Sequence, residues 1–145
     1  MIFLSGVNLS KTAKSFEVGQ SASFSKTITE QDLFGFADLS GDFNPVHVVE
    51  SYAKSTMFGQ RIAHGMLTAS LISAVLGMQL PGPGSIYLSQ SVRFLRPVHI
   101  GDTLTATVEV TDWNTDRGIL TLTNKITNQN GTTVLTGESV TLVRD

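Results

Sequence analysis

Residues 64–79, "HGMLTASLISAVLGMQ", constrain the fold more than any other stretch. Wound as a helix, they spread Met66, Leu67, Leu71, Ile72, Val75, Leu76 and Met78 around almost the whole circumference. A helix that is apolar on all sides must be buried on all sides. The "PGPG" at 81–84 ends it, since neither residue continues a helix well. The apolar run from Met66 to Leu80 is broken by Thr68, Ser70, Ser73, Gly77 and Gln79. It falls short of the roughly 18 continuous apolar residues of a membrane span.

What surrounds this helix must therefore come from the rest of the chain, where the pattern changes to period two. "SIYLSQSVRFLRP" (85–97), "TLTATVEVTDW" (103–113), "GILTLTNKIT" (118–127) and "TTVLTGESVTLV" (132–143) read as strands, and residues 16–28 as a first strand. In the second of the four, Leu104, Ala106, Val108 and Val110 share one face and Thr103, Thr105, Thr107 and Glu109 the other. The connections "HIGD", "NTDR" and "NQNG" are short and turn-like, which predicts a mostly antiparallel meander. Thr29 caps a further helix with acids in its first turn, which carries Leu33, Phe34, Phe36 and Ala37 and ends at Ser40-Gly41. A loop follows from Gly41 to Val46, then a short helix around 50–55. The expectation is an α+β domain over 16–145: a curved antiparallel sheet wrapped around the 64–79 helix, with residues 1–15 as an extension. About five strands cannot cover that helix and also close their own edges, so a homodimer is expected.

Composition narrows the chemistry. Only 15% of the 145 residues are charged, against 41% hydrophobic, which fits a surface partly covered by a second copy. The net charge is −2 and no basic stripe stands out, so nucleic acid is not the expected partner. With no cysteine, disulfides, thiolate nucleophiles and Cys-based metal sites are excluded. The opening "MIFLSGVNLSKTAKSF" has no acid and carries Lys11 and Lys14 but no Arg. It reads as an extension, or as a thin transit signal. The expected location is cytoplasmic, with mitochondrial as the alternative.

"FADLSGDFNPVH" (36–47) crowds Asp42, Asn44 and His47, one of only three histidines, around Pro45. Three readings stand side by side. The segment is a tight turn, with Asp42 and Asn44 bonded to nearby amides and Pro45 stiffening it. It is a metal site, with Asp42, His47 and His64 as ligands, although no i,i+4 His pair supports this. Or it is a general acid/base pair that holds one water between Asp42 and His47, with Asn44 positioning. A calcium loop is excluded by Pro45 and by the missing Gly and Glu. In "AHGMLTAS", His64 reads as a helix-start residue bonded to backbone. Gly65 places an unpaired N–H at the positive end of the helix dipole, open to close approach, which is the geometry of an oxyanion site. Ser73 and Leu76 lie three apart on one helix face, either as ordinary core or beside an apolar channel.

Together "FADLSGDFNPVH", "HGMLTASLISAVLG", "PGPGSIYLSQSVRFLRPVHIGDTLTA" and the terminal "GESVTL" resemble the MaoC-like hydratases of the hot-dog fold, closest to the (R)-specific enoyl-CoA hydratases. The resemblance covers about Phe16 to Val143. It implies a hot-dog domain that adds water to a trans-2-enoyl thioester of coenzyme A. It implies Asp42 and His47 as holders of the catalytic water, Asn44 as the loop asparagine, and the Gly65 N–H as oxyanion donor. Ser73 and Leu76 match positions lining the acyl pocket, and Pro45 and His64 complete the expected substrate-binding set. No metal or other cofactor is expected, coenzyme A arriving as part of the substrate, and the resemblance implies a dimer. The rival readings are an acyl-carrier-protein dehydratase, a non-catalytic acyl-thioester-binding subunit and a thioesterase.

Overall fold

The computed structural model describes residues 14–144, so most of the expected extension lies outside the described residues. Strand β1 runs Ser21–Thr27, shorter than the expected 16–28 because the Gln20 N–H turns back onto the Glu17 carbonyl at 3.0 Å. Helix α1, Glu30–Ser40, opens on a reciprocal cap. The Asp32 N–H donates to Thr29 Oγ1 at 3.2 Å and the Thr29 N–H donates to Asp32 Oδ2 at 2.9 Å. Desolvation pushes the Asp32 carboxyl up, but the Thr29 bonds and Lys26 at 3.2 Å outweigh it and hold it below its ordinary value. Gly41 ends α1 in the left-handed region at φ 83°, where a side chain would be strained.

The expected loop from Gly41 to Val46 is interrupted by a one-turn helix, α2, Pro45–Val48. Proline disfavours helix at the residue before it, yet its own fixed φ suits the first helical position, and Asn44 caps the turn by accepting from the Val46 N–H at 3.2 Å. Helix α3, Glu50–Lys54, follows, and then the long α4, Gly65–Met78, within one residue of the expected ends.

Strands β2 (Ile86–Phe94), β3 (Thr103–Asn114), β4 (Ile119–Thr127) and β5 (Thr133–Leu142) then form one sheet with β1, in the order β1-β3-β4-β5-β2. All four pairings are antiparallel. The meander expectation holds for β3, β4 and β5, while β1 and β2 close the two flanks. Leu104, Ala106, Val108 and Val110 of β3 face inward and are buried, as are Leu120, Leu122 and Ile126 of β4. They meet Leu71, Ile72, Val75 and Leu76 of α4 in one core. The helix is not buried on every side, however. Met66, Ser70 and Ser73, at i, i+4 and i+7, form an exposed face that this one sheet does not reach. Among the described residues, no helix is long and apolar enough to cross a membrane.

Candidate active site

The end of α1, the turn α2 and the start of α4 meet at one place, and their backbone bonds decide which atoms remain available there. Past Gly41, the Asp42 Oδ1 accepts from the Asn44 N–H at 3.1 Å, an Asx turn that fixes the carboxylate at the mouth of the loop. The one-turn helix α2 then turns His47 inward, where it is 8% exposed. His47 Nδ1 lies 2.7 Å from the Ile62 carbonyl. A carbonyl only accepts, so Nδ1 carries the proton and Nε2 is left as a bare acceptor.

His64, 1% exposed, lies against this arrangement. Its Nε2 donates to the Asp42 main-chain carbonyl at 3.0 Å. Its ring stacks on His47 with centroids 3.9 Å apart and planes at 27°, and its other neighbour is Phe36, 4.9 Å away. Burial, above all, pushes the His64 pKa down, and the nearby His47 adds to this against the bond from Asp42. As N-cap of α4, His64 makes no side-chain capping bond, so the first N–H groups of a 14-residue helix stay uncapped, that of Gly65 among them.

Asp42, His47, His64 and Gly65 line a single cavity of about 670 Å³. Its walls are largely apolar: Phe36 and Phe58 on one side, Met66 and Thr68 along α4, and Phe94 and Leu95 from the end of β2. A β-carbon on Gly65 would stand 2.8 Å from the Phe94 ring, so the glycine permits this close approach and is not there for its φ. Arg61 braces the loop from outside, donating to Glu30 of α1 at 2.9 Å and to Glu50 of α3 at 3.1 Å.

Donor atoms of Asp42, His47 and His64 lie within 4.8 Å of one another, a spacing compatible with a metal ion. Yet two rings stacked 3.9 Å apart with planes at 27° aim their in-plane lone pairs along nearly parallel lines rather than at one ion. An Asp carboxylate beside a bare imidazole nitrogen, facing an uncapped helix N-terminus, instead has the make-up of an acid/base pair opposite an anion-stabilising donor.

Four of the expected site residues thus meet at the cavity. Asn44 and Pro45 stay behind it, as cap and first residue of α2. Ser73 and Leu76 do not line this cavity in the single chain. Position 73 lies eight residues, or ~12 Å of helix rise, beyond Gly65, and it faces solvent while Leu76 is 2% exposed in the core. Sequence reasoning missed Phe58, Phe94 and Leu95. The one available signal was Gly65 itself, which implied a close neighbour without naming it.

Comparison with known proteins bears on the family and the fold. The "MaoC like domain" family matches residues 12–133. The (R)-specific enoyl-CoA hydratase of Rhodospirillum rubrum is 54% identical over 125 residues, 86% of this chain and 86% of that one. The (R)-specific enoyl-CoA hydratase of Aeromonas caviae is 51% identical over 129 residues, 89% of this chain and 96% of that one. A solved (R)-hydratase from A. caviae, described as involved in PHA biosynthesis, superposes with a TM-score of 0.87 at 50% identity, covering 91% of this chain and 100% of that one. With the fold and the matches over most of the chain in agreement, the chain belongs to the MaoC-like family.

Proposed function

We propose that the protein is an (R)-specific enoyl-CoA hydratase, adding water reversibly to a trans-2-enoyl-CoA to give the (R)-3-hydroxyacyl-CoA. The observation that carries this reading is the convergence of the Asp42 carboxylate, the bare Nε2 of His47 and the uncapped Gly65 amide on one apolar cavity. A water held there donates one hydrogen to the carboxylate and one to Nε2, which leaves its lone pair free for C3. As the C3–O bond forms, electrons move through the conjugated system onto the thioester oxygen. The Gly65 N–H and the α4 dipole stabilise that oxygen, a donor of this kind contributing about 3–4 kcal/mol. The proton taken from water passes from the pair to C2, the thioester carbonyl re-forms, and the site is regenerated. Asp42 and His47 share the proton handling of this step as one acid/base pair. The reaction uses no metal or redox cofactor, and coenzyme A enters only with the substrate. Supply of (R)-3-hydroxyacyl units for polyester synthesis, or fatty-acid oxidation, in the cytoplasm, is the physiological setting that fits the relatives.

The same reading includes a homodimer. Strand β2 is paired on one side only, and it leaves Ile86, Tyr87, Leu88 and Phe94 exposed, while α4 leaves Met66 exposed. A second copy is the occupant that covers both the open edge and the open helix face. Sedimentation or light scattering at micromolar protein should return twice the chain mass, and a monomer would remove this part of the proposal.

The activity is tested by the fall in enoyl-thioester ultraviolet absorbance with crotonyl-CoA and longer analogues. Asp42→Asn and His47→Gln should each slow turnover by ~10²–10⁴. Folded variants that keep near-normal rates would refute the roles given to these two residues.

A further inference from the structure

We propose that His64 is a positioning residue of the site: its Nε2–H holds the main chain of Asp42 while its ring face seats His47, so that the two acid/base groups keep one separation. This rests on the hydratase reading above but assigns a role to a residue that the reaction itself does not consume.

Three observations converge on it. The first is the bond to the Asp42 carbonyl at 3.0 Å. It fixes the segment whose next bond, from the Asn44 N–H to Asp42 Oδ1, sets the direction of the carboxylate. The second is the stack on His47 at 3.9 Å. The Ile62 carbonyl holds the edge of the His47 ring, but one hydrogen bond leaves a ring free to tilt about it. A flat neighbour removes that freedom, and the Phe36 ring behind His64 keeps the neighbour in place. The third is covalent: His64 precedes Gly65, so the same residue also fixes where the α4 amide begins. One side chain thus references the carboxylate, the imidazole and the oxyanion donor to each other.

The geometry also settles which histidine handles the proton. With Nε2 donating to a carbonyl, the lone pair of neutral His64 is on Nδ1. That atom is buried and, among the described residues, has no hydrogen-bond partner. Protonating it would strand an N–H away from any acceptor and, whenever His47 holds the proton taken from water, set two cations face to face. The titratable groups facing His64 are Asp42 on the loop and His47 on α2. His47 therefore takes up and returns the proton, and His64 stays a neutral surface against which it does so.

Two measurements test this. On ¹⁵N-histidine-labelled protein, the His64 ring should show the neutral Nε2–H form from pH 8 down through the ordinary imidazole value of 6.5, while the neutral His47 ring shows the Nδ1–H form. This spectrum is independent of turnover, so it can fail while hydration stands, and hydration can be absent while the spectrum stands. Kinetically, His64→Gln keeps an N–H but loses the ring, and His64→Phe keeps a ring but loses the N–H. Each should lower kcat by ~10–100-fold with KM within about two-fold, since misplacing catalytic groups by an ångström costs about that much. A near-normal kcat in either folded variant, or His64 gaining a proton across this range, would overturn the proposal. Should neither variant fold, the wild-type spectrum alone decides it.

Discussion

Phe94 stands against Gly65 so closely that a β-carbon at 65 would lie 2.8–3.2 Å from three atoms of the ring. The atoms met are those at the far end of a side chain that is 52% exposed, so the ring can move away. Gly65→Ala should therefore fold with a loss under about 1 kcal/mol. Its cost belongs to catalysis, because the displaced ring no longer borders the amide that receives the thioester oxygen. We expect kcat to fall at least ~10-fold, and Phe94→Ala in the same chain to recover part of it, a coupling that a double-mutant cycle measures. Additive losses would show that the ring contact does not matter.

The same substitution at two other glycines separates backbone preference from space. Gly35 lies inside α1 and a β-carbon there meets nothing, so Gly35→Ala should stabilise by roughly 0.5–1 kcal/mol. Gly137 lies in β5, where a β-carbon would collide with the main-chain oxygen of Ser91 on β2 and crowd the Gln90 and Asn124 amides. Backbone cannot turn aside, so Gly137→Ala should destabilise by 1–3 kcal/mol or more. Urea denaturation of both variants beside the wild type checks the opposite signs.

How far the sequence foretold all this depends on the range of each interaction. The α4 boundaries, the Thr29–Asp32 cap and the four later strands rest on neighbours a few residues apart, and periodicity and capping rules find them. The inward position 124 already strains those rules. Asn124 occupies a core site on β4, where its Oδ1 accepts from Ser139 Oγ and the Gln90 amide, partners from two other strands that no local pattern names, while its Nδ2 has no partner among the described residues. Placing β1 beside β3, and β2 on the far side of β5, is likewise a long-range outcome. At the site, the D-x-N-P-x-H loop and the HG pair identified Asp42, His47 and Gly65. The Ile62 carbonyl that sets the His47 tautomer, the His47–His64 stack and the Phe94 wall exist only once the chain is folded. Ser73 marks the opposite limit: a helix position can be assigned to a face, but what that face borders depends on what the sheet, and a second copy of the chain, bring against it.

Arg61 joins helices that local sequence would leave independent. Its side chain is only 11% exposed, and its guanidinium meets both Glu30 and Glu50 and lies 5.7 Å from the Phe34 ring centroid. Burial opposes its charge, but the two glutamates outweigh this and raise its pKa further. The glutamates are half exposed, so their screened attraction is modest, and packing of the Arg stem adds to it. Arg61→Met should cost about 1 kcal/mol, with a smaller fall in kcat than either His64 variant. Equal losses of kcat would mean that bracing the loop from outside matters as much as the bonds inside it.

The depressed pKa of His64 carries a sign for stability against pH. Because the folded state holds this imidazole below its ordinary 6.5, the unfolded chain binds the extra proton more readily once the pH drops past that value. Stability attributable to the group is thus complete above about pH 7 and is lost as the pH falls from 6.5 toward the folded pKa, where the loss levels off. Asp32 is also depressed, but as a carboxylate its contribution is lost only below its ordinary 3.8, outside the range from pH 7.5 to 5. Melting temperatures between pH 7.5 and 5 should therefore decline in the wild type. The decline should be shallower in His64→Phe, which has nothing to protonate at that position. Parallel slopes would mean that the buried ring already accepts its second proton in the folded state, which contradicts the stranded Nδ1 seen beside His47.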